Sequence, residues 1–478
     1  MKKNKLFGTI IMVYILALGL FSPAGWAAEE YKVTVQDLKN AKKSFDDPRP
    51  YFKELSSKKV IPPNIYSKLT YDVETMKSRW AEVVGFRSPD VVGKIAPEIK
   101  PGTYNYKDKE KYPGLKELMI PELYRRFKPG ERPFAGNFPE IKVVPTVQRY
   151  FALPIAEATK KYAGTVRLDD KGFMREETYM AGVPFPRPEG KFMANEIIYN
   201  WLRRYHNGES HWITQVGLGF TGSHQLDAER LIDGPTAKLN GRVCIEPYGW
   251  FDERAKKQGE DRALGGFYHA PRDYYGQGIH ITSYMSPEKF DLMMVYIPGL
   301  RRTRMLSSTD VQDSAGGADN IYLDMEGYSH KLSDSFFPYK AELIGEREYL
   351  MPVCSDGSNY LSSEGLELRN LEFERRPMYV VKTTSLDKNF VYGHRLIYFD
   401  KETWHLLFIE NYDRKGRLYR TFLTIPRFEP EMGLPILAQT LQIDHIDLHS
   451  SYSIFYVLPV TWLTRNDFDM SSLFRRGK

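Results

Sequence analysis

Cysteine is nearly missing from this 478-residue sequence, where only Cys244 and Cys354 occur. Two cysteines exclude a disulfide-dense scaffold. In an oxidising compartment the two can pair, and closing so long a loop is worth roughly 4–5 kcal/mol in the chain-entropy model. The alternative is two buried thiols, because each cysteine sits beside apolar residues (Val243 and Ile245; Val353), and spacing alone leaves both open. An excess of one charge is also lacking. Lys+Arg 67 against Asp+Glu 61 leaves +6, too little for a nucleic-acid surface. After the first segment no apolar run is long enough to span a bilayer, which excludes a multi-span membrane protein. Internal repeats and low-complexity blocks are absent as well.

Aromatic residues are plentiful. Tyr 32, Phe 27 and Trp 7 suit strands and surfaces where one end of a ring is apolar and the other wet. Hydrophobic residues at 42% and charged residues at 27% match a folded globular chain and exclude disorder. The length accommodates two to three domains, or one large β-rich unit with an extension.

The first 27 residues read as a secretory signal. Lys2, Lys3 and Lys5 precede an apolar run from Leu6 to Phe21, followed by the small-residue exit Ser22-Pro23-Ala24-Gly25-Trp26-Ala27-Ala28. Cleavage after Ala27 takes the charge balance to about +3 and places the mature chain in the periplasm. The competing reading, an uncleaved anchor, fits poorly with so short a run.

From 28 to 210 the pattern is broken and Pro-rich, an irregular wrap with helical pieces at Val35–Phe45, Ile65–Val84 and Phe192–Tyr205. In the last, Ala194, Ile198, Trp201 and Tyr205 form an apolar stripe. Extended stretches at Tyr51–Lys58 and Pro101–Tyr112 lie between. From 211 to 478 the period changes to two. Strands are expected at Trp212–Phe220, Arg242–Trp250, Gly278–Ser283, Phe290–Ile297, Lys340–Leu350, Pro377–Thr384, Val391–Phe399, Trp404–Tyr412, Leu418–Pro426 and Ile436–His449. Tight polar turns at Asp400–Thr403 and Asp413–Gly416 join neighbours as hairpins. This pattern argues a mainly β protein built on an open, curved antiparallel sheet or incomplete barrel.

Motifs of catalysis are sparse. His206 and His211 are five apart with Gly208 between them, and lack the helical pairing of a zincin. His445 and His449 alternate as in a strand, where they would stand about 13 Å apart. Asp310, Asp313, Asp319 and Asp324 surround a Gly-rich loop without EF-hand spacing. Gly217–Gly222 fits G-x-G-x-x-G but has no βαβ context. No Gly-x-Ser-x-Gly occurs, and no spacing singles out Glu246 or Asp252 for acid/base work. No metal, cofactor or catalytic residue is assigned. Two basic clusters, Arg301-Arg302-Thr303-Arg304 and Arg375-Arg376, suit anions or a partner's carboxylates, or else internal links to acidic loops.

Several segments taken together carry a resemblance. They are Val144–Arg149, Gly182–Pro188 with the following Glu196–Trp201 helix, Tyr296–Arg304, Ala341–Pro352, and the hairpin pair from Val391 to Arg420. In this order they resemble a family of Gram-negative envelope proteins, a domain of unknown function labelled outer-membrane lipoprotein-sorting-like. The resemblance covers roughly residues 100 to 465. It implies the fold of the LolA/LolB carriers, an open, strongly curved antiparallel sheet with helices plugging its concave face. It also implies exporters of the resistance-nodulation-division type and outer-membrane proteins as partners. It brings no catalytic residues.

The expectation is a non-catalytic periplasmic carrier or chaperone of a lipid, lipoprotein or other hydrophobic molecule, peripheral to the outer membrane. Its rivals are a ligand-free structural adaptor of an export system and a secreted envelope hydrolase. Tyr296, Tyr392, Tyr398 and Phe408, with Leu396 and Leu406, are the candidate cavity lining. Arg301, Arg302 and Arg304 are candidates for a headgroup or an acidic partner.

Overall fold

The computed structural model describes residues 57–476 apart from 132–135, 224, 308–309, 314–319, 337, 356–358 and 363–366, together with Thr34 and Gln36. The export segment, nearly all of the 35–45 helix and the glycines of the Asp/Gly loop lie outside the described residues.

In chain order the strands are β1 (Gly102–Asn105), β2 (Glu140–Val144), β3 (Ser210–Phe220), β4 (Leu226–Lys238), β5 (Glu260–Ala270), β6 (Gly278–Tyr284), β7 (Leu292–Ile297) and β8 (Arg302–Met305). They continue as β9 (Tyr339–Val353), β10 (Tyr360–Leu361), β11 (Leu368–Arg369), β12 (Glu372–Ser385), β13 (His394–Asp400), β14 (Leu406–Tyr412), β15 (Leu418–Glu429), β16 (Leu434–Asp444) and β17 (Ser450–Pro459). The longer helices are α1 (Val73–Val84), α2 (Leu153–Tyr162), α3 (Met193–Leu202) and α4 (Met470–Arg476).

Fifteen strands form one open sheet, ordered β1-β2-β12-β13-β14-β15-β16-β17-β3-β4-β5-β6-β7-β8, with β9 also paired to β12. The expected all-antiparallel sheet is mixed at one place, because β2 runs parallel to the start of β12. The N-terminal half therefore extends the sheet as well as covering it. The centre of the order joins the last strand to an early one, β17 to β3, over ten residue pairs. Closing that long loop costs only logarithmically with its length.

Several stretches differ from expectation. Residues Arg242–Trp250 form a loop, because their backbone N–H groups turn onto one side chain: Val243, Cys244 and Ile245 all donate to the Glu209 carboxylate at 2.5–3.2 Å. Strands β4 and β5 escape an alternation test because Gly234, Pro235, Gly265 and Gly266 interrupt them. At that point the backbones approach so closely that a Cβ on Gly234 would lie 1.9 Å from the Gly265 carbonyl oxygen. The expected strand Ile436–His449 stops at Asp444, whose Oδ1 accepts from the Ile446 and Asp447 N–H groups at 2.9 Å and turns the chain into β17. The helix expected over Ile65–Val84 is likewise split, and α1 starts where Asp72 caps the Thr75 N–H at 2.8 Å.

Alternation gives the sheet two buried faces. Tyr379, Val381, Ile397, Phe399 and Ile409 face inward and pack with Trp80 of α1, Ile155 of α2 and Ile198 and Trp201 of α3. Met378, Val380, Tyr398 and Phe408 face outward and pack under Leu115, Leu118, Phe127, Phe138 and Ile141. Both faces of these central strands are covered, which is why they read as nearly continuous apolar runs.

One guanidinium ties the wrap to the sheet. Arg376 of β12, fully buried, donates to Asp400 at 2.7 Å, Glu374 at 2.9 Å, Glu402 at 2.9 Å and the Val147 carbonyl at 2.7 Å. Glu402 also accepts from Ser88 and from the Arg149 N–H, and Arg149 pairs with Glu374 at 2.6 Å. Arg375 is also structural, bonded to Glu348 and to the carbonyls of Ile95, Ala96 and Ile99. The acidic-link reading of this cluster is the one the fold uses.

Replacing Arg376 by Met strands three buried carboxylates and is expected to cost about 3–5 kcal/mol, read as a fall in the urea midpoint at constant slope. A second prediction concerns Glu410 of β14. Burial, with Glu122 nearby, pushes its carboxyl up to about 7, against the pull of the Tyr398 and Tyr412 hydroxyls. Between its ordinary value and about 7 the folded state holds a proton that the unfolded chain has lost, so stability falls as pH rises through that window. Glu410→Gln is expected to flatten the pH 5–8 stability profile and to gain on the order of 3 kcal/mol at pH 8. An unchanged profile by denaturant titration would refute this assignment.

Candidate functional site

Inward-facing side chains of β3 to β6 and of β15 to β17 surround a cavity of about 170 Å³. Phe422 of β15 and Ile279 of β6 both line it, although six strand spacings separate them, roughly 29 Å along a flat sheet. The sheet must therefore curl, and the cavity is the space inside that curl.

Small residues keep the space open. Gly217 of β3 sits opposite Ser453 of β17 and Arg230 of β4. A Cβ placed on Gly217 would meet Ser453 Oγ at 3.4 Å and Arg230 Cβ at 3.6 Å, ordinary contacts. Ile213, Ile232, Leu264, Phe422, Leu437 and Phe455 supply apolar walls, while Gln215, Arg230, Thr440, Gln442 and Ser451 supply polar ones. The G-x-G-x-x-G string thus marks missing side-chain volume in a strand.

A roof closes the cavity. Residues Tyr322–Gly327 form a tight turn with a break at Met325 (ψ 136°) and Glu326 (φ 53°). Tyr322, Asp324, Met325 and Glu326 line the cavity. Two sets of polar contacts hold the turn down. Asp324 Oδ2 accepts from the Tyr392 hydroxyl at 2.6 Å, and Oδ1 lies 3.3 Å from Arg395. The Arg395 guanidinium itself sits over the rings of Tyr392, Tyr328 and Phe390 at 4.5–5.4 Å. Burial raises the Asp324 carboxyl against the pull of Arg395, Tyr392 and Arg420. Glu326 pairs with Arg204 and, at 3.1 Å, with Arg262. On the far side of the roof a second cavity, about 90 Å³, shares Leu264, Met325 and Glu326 with the first and adds Arg203, Arg204, Asp261, Arg262, Asp291 and Lys331.

The sequence-derived candidates scatter relative to this site. Tyr392 lies beneath the roof as its anchor. Tyr398 and Phe408 sit on the outer face, in the second core cluster, and so line no inner cavity; Leu396 packs there too, whereas Leu406 faces inward. Tyr296 is also outward, stacked edge-on with Phe474 of α4. The period of two places these residues on a face, but which face is concave depends on the curl. Arg301, Arg302 and Arg304 are exposed at the terminal strand β8, away from both cavities. Cys244 and Cys354 are free thiols, Cys244 packed against the inner cluster and Cys354 within the outer one.

Much of the cavity wall comes from β4, β5 and β17, which alternation did not isolate. The one available signal was the stretch Ser451-Tyr452-Ser453-Ile454-Phe455, a strand whose inward positions are mostly small.

Among the described residues no group of three or more His, Cys, Asp or Glu is arranged for a metal. His206 and His405 pack with ring centres 4.4 Å apart and planes tilted by 53°, and burial drives both far below the usual imidazole range, His405 to about 3. They serve as neutral aromatic packing. Asp252 caps the helix Glu253–Gln258 and pairs with Arg465.

Tyr392→Phe removes the hydroxyl that holds Asp324 of the roof. The expected result is faster hydrogen exchange of the amides in 320–332 by about tenfold, in line with a lost buried bond of about 1–3 kcal/mol, with β12 to β14 unchanged.

Comparison with known proteins gives a consistent set of likenesses. A curated relative, the uncharacterized protein PA3922 of Pseudomonas aeruginosa, is 23% identical over 323 residues, which is 62% of this chain. The match spans 65% of that relative's length. Among solved structures, the chain is similar to an outer membrane lipoprotein-sorting protein domain from Vibrio parahaemolyticus (17% identity, TM-score 0.41, covering 59% of this chain and 97% of that one). It is also similar to a DUF1329 family protein from Desulfovibrio piger (16%, 0.40, 55% and 91%). A third likeness is to the LolA superfamily protein NE2245 from Nitrosomonas europaea (14%, 0.34, 58% and 98%). A family model described as a protein of unknown function (DUF1329) matches residues 126–456. Since that match takes in well over half of the sequence, the chain belongs to the DUF1329 family.

Proposed function

We propose that this protein is a non-catalytic periplasmic carrier that takes a lipid or other hydrophobic molecule into the curl of its sheet. The observation that supports it is the roofed cavity of about 170 Å³, with apolar walls and the small residues Gly217 and Ser453 in its lining. An empty apolar space of about 150 Å³ holds a molecule the size of benzene, so a longer chain requires the roof to move. Moving Met325 and Glu326 would join the two cavities they separate. The gain is adequate: each buried methylene contributes about 0.8 kcal/mol, so a ten-carbon chain gains roughly 8 kcal/mol before the roof's contacts are subtracted. Among the described residues no helix is long and apolar enough to cross a membrane. Partners at an envelope exporter and at the outer membrane, which deliver and receive the ligand, are part of the same proposal.

The test is native mass spectrometry of the mature protein taken from the periplasm, then organic extraction and lipid analysis. A defined hydrophobic species at near-equal stoichiometry is expected. Gly217→Phe, which places a ring in the cavity, is expected to lower its occupancy at least about tenfold while leaving the circular dichroism and melting point near wild type. A clean apo mass across added envelope lipids would sink the carrier reading and leave a ligand-free adaptor.

A further inference from the structure

The roof presses a carboxylate into a cationic socket. Arg204 of the α3 end and Arg262 of β5 both pair with Glu326, and Arg203 beside them pairs with Asp261 at 2.6 Å. All three guanidinia line the smaller cavity, where Lys331 pairs with Asp291 at 2.9 Å. Four cations thus face three carboxylates, and one of the three belongs to the roof. Without Glu326 the socket holds two uncompensated charges in a site shielded from water, an arrangement that demands an anion.

Two further observations indicate room for a polar group. Arg203, 5% exposed, keeps Nε without a hydrogen-bond partner, and Asp261, 3% exposed, keeps Oδ1 without one. One unused donor and one unused acceptor at a cavity wall are unusual in a closed core. Glu326 also reaches the socket from a left-handed backbone conformation (φ 53°), which side-chain-bearing residues adopt only under constraint. Its neighbour Met325 lies in the wall common to both cavities. Arg204 and Arg262 lie across that wall from a chain in the larger cavity.

We propose, resting on the carrier reading, that the ligand is an amphiphile with a single anionic head, a carboxylate or a phosphate, which takes the place of Glu326 between Arg204 and Arg262. Glu326 is then an internal stand-in that leaves the empty site with a single excess positive charge and keeps it shut. Binding exchanges one carboxylate for another anion, so that excess never grows, and the freed turn opens the wall between the cavities. Asp324, held by Tyr392 and Arg395, is the fixed end on which the turn pivots.

The experiment is calorimetric titration of the mature, delipidated chain with dodecanoate, dodecyl phosphate and dodecan-1-ol at one ionic strength. Both anions are expected to bind at least about tenfold tighter than the alcohol, and their ratio tells carboxylate from phosphate. Glu326→Gln removes the competitor and loosens the roof, and is expected to tighten dodecanoate binding about tenfold and the alcohol less, so that the preference for the acid rises. Equal affinity for acid and alcohol would overturn the anionic head and leave the carrier reading standing. Failure of all three probes would overturn both. Weaker or unchanged dodecanoate binding in a folded Glu326→Gln protein would overturn the exchange. If that variant does not fold, the wild-type ratio of acid to alcohol still decides.

Discussion

Burying the Arg376 guanidinium among Asp400, Glu374 and Glu402 is the constraint on which the rest of this molecule depends. Three carboxylates held in a dry interior are tolerable only around a cation with several donors in fixed directions, which arginine supplies and lysine does not. The same carboxylates accept from Ser88 and Arg149 of the wrap. The network therefore fixes the position of α1 and α2 relative to β12 and β13. Trp80 adds to this by donating its ring N–H to the Glu402 carbonyl at 2.9 Å while packing against Phe151 and Trp404. With the helices pinned inside the sheet, the central strands are buried on both sides and the curl is locked.

The curl has a chemical consequence at the other limb. Where helices fill the concave face, the core is packed; beyond them, between β3–β6 and β15–β17, the filling is a short turn instead of a helix. A turn cannot match the volume of a helix, so space remains, and Gly217, Ser451 and Ser453 enlarge it. Among the polar groups there, Gln215 donates to Ser453 Oγ at 2.9 Å, and Glu326 of the roof pairs with Arg204 and Arg262. Stability and accessibility are thus divided between two limbs of one sheet: the ion-paired limb is rigid, and the roofed limb is held by a few bonds centred on Asp324 and Glu326.

Repeated arginine–carboxylate pairing is the recurring device. Arg376 with its three acids, Arg395 with Asp324, Arg420 with Asp444 at 3.0 Å and Arg126 with Glu122 at 3.0 Å all lie on or under the sheet. Such pairs contribute little net stability compared with apolar packing, but breaking one is expensive. They fix which partner each strand face meets, which suits a wide sheet with many near-equivalent apolar surfaces.

Period-two alternation was enough to recover most strands from β3 through β16 and the hairpins around Asp400–Thr403 and Asp413–Gly416, because those strands carry regular turns and few glycines. It was enough as well for the β-rich class, whereas the family resemblance rested on the order of several motifs. It was not enough for β4 and β5, whose Gly-Pro and Gly-Gly interruptions only make sense where two backbones touch, nor for the loop at 242–250, which folds onto Glu209 at the residue before β3. Arg375 and Arg376 were legible as a cluster, but their partners come from several separate segments of the chain. The cavity was the least legible. Tyr398 and Phe408 alternate correctly yet face outward, while Gly217, Ile232 and Glu326 form the site. Alternation assigns a residue to a face; only the sense of curvature, set by which helices pack on which side, decides whether that face encloses a space.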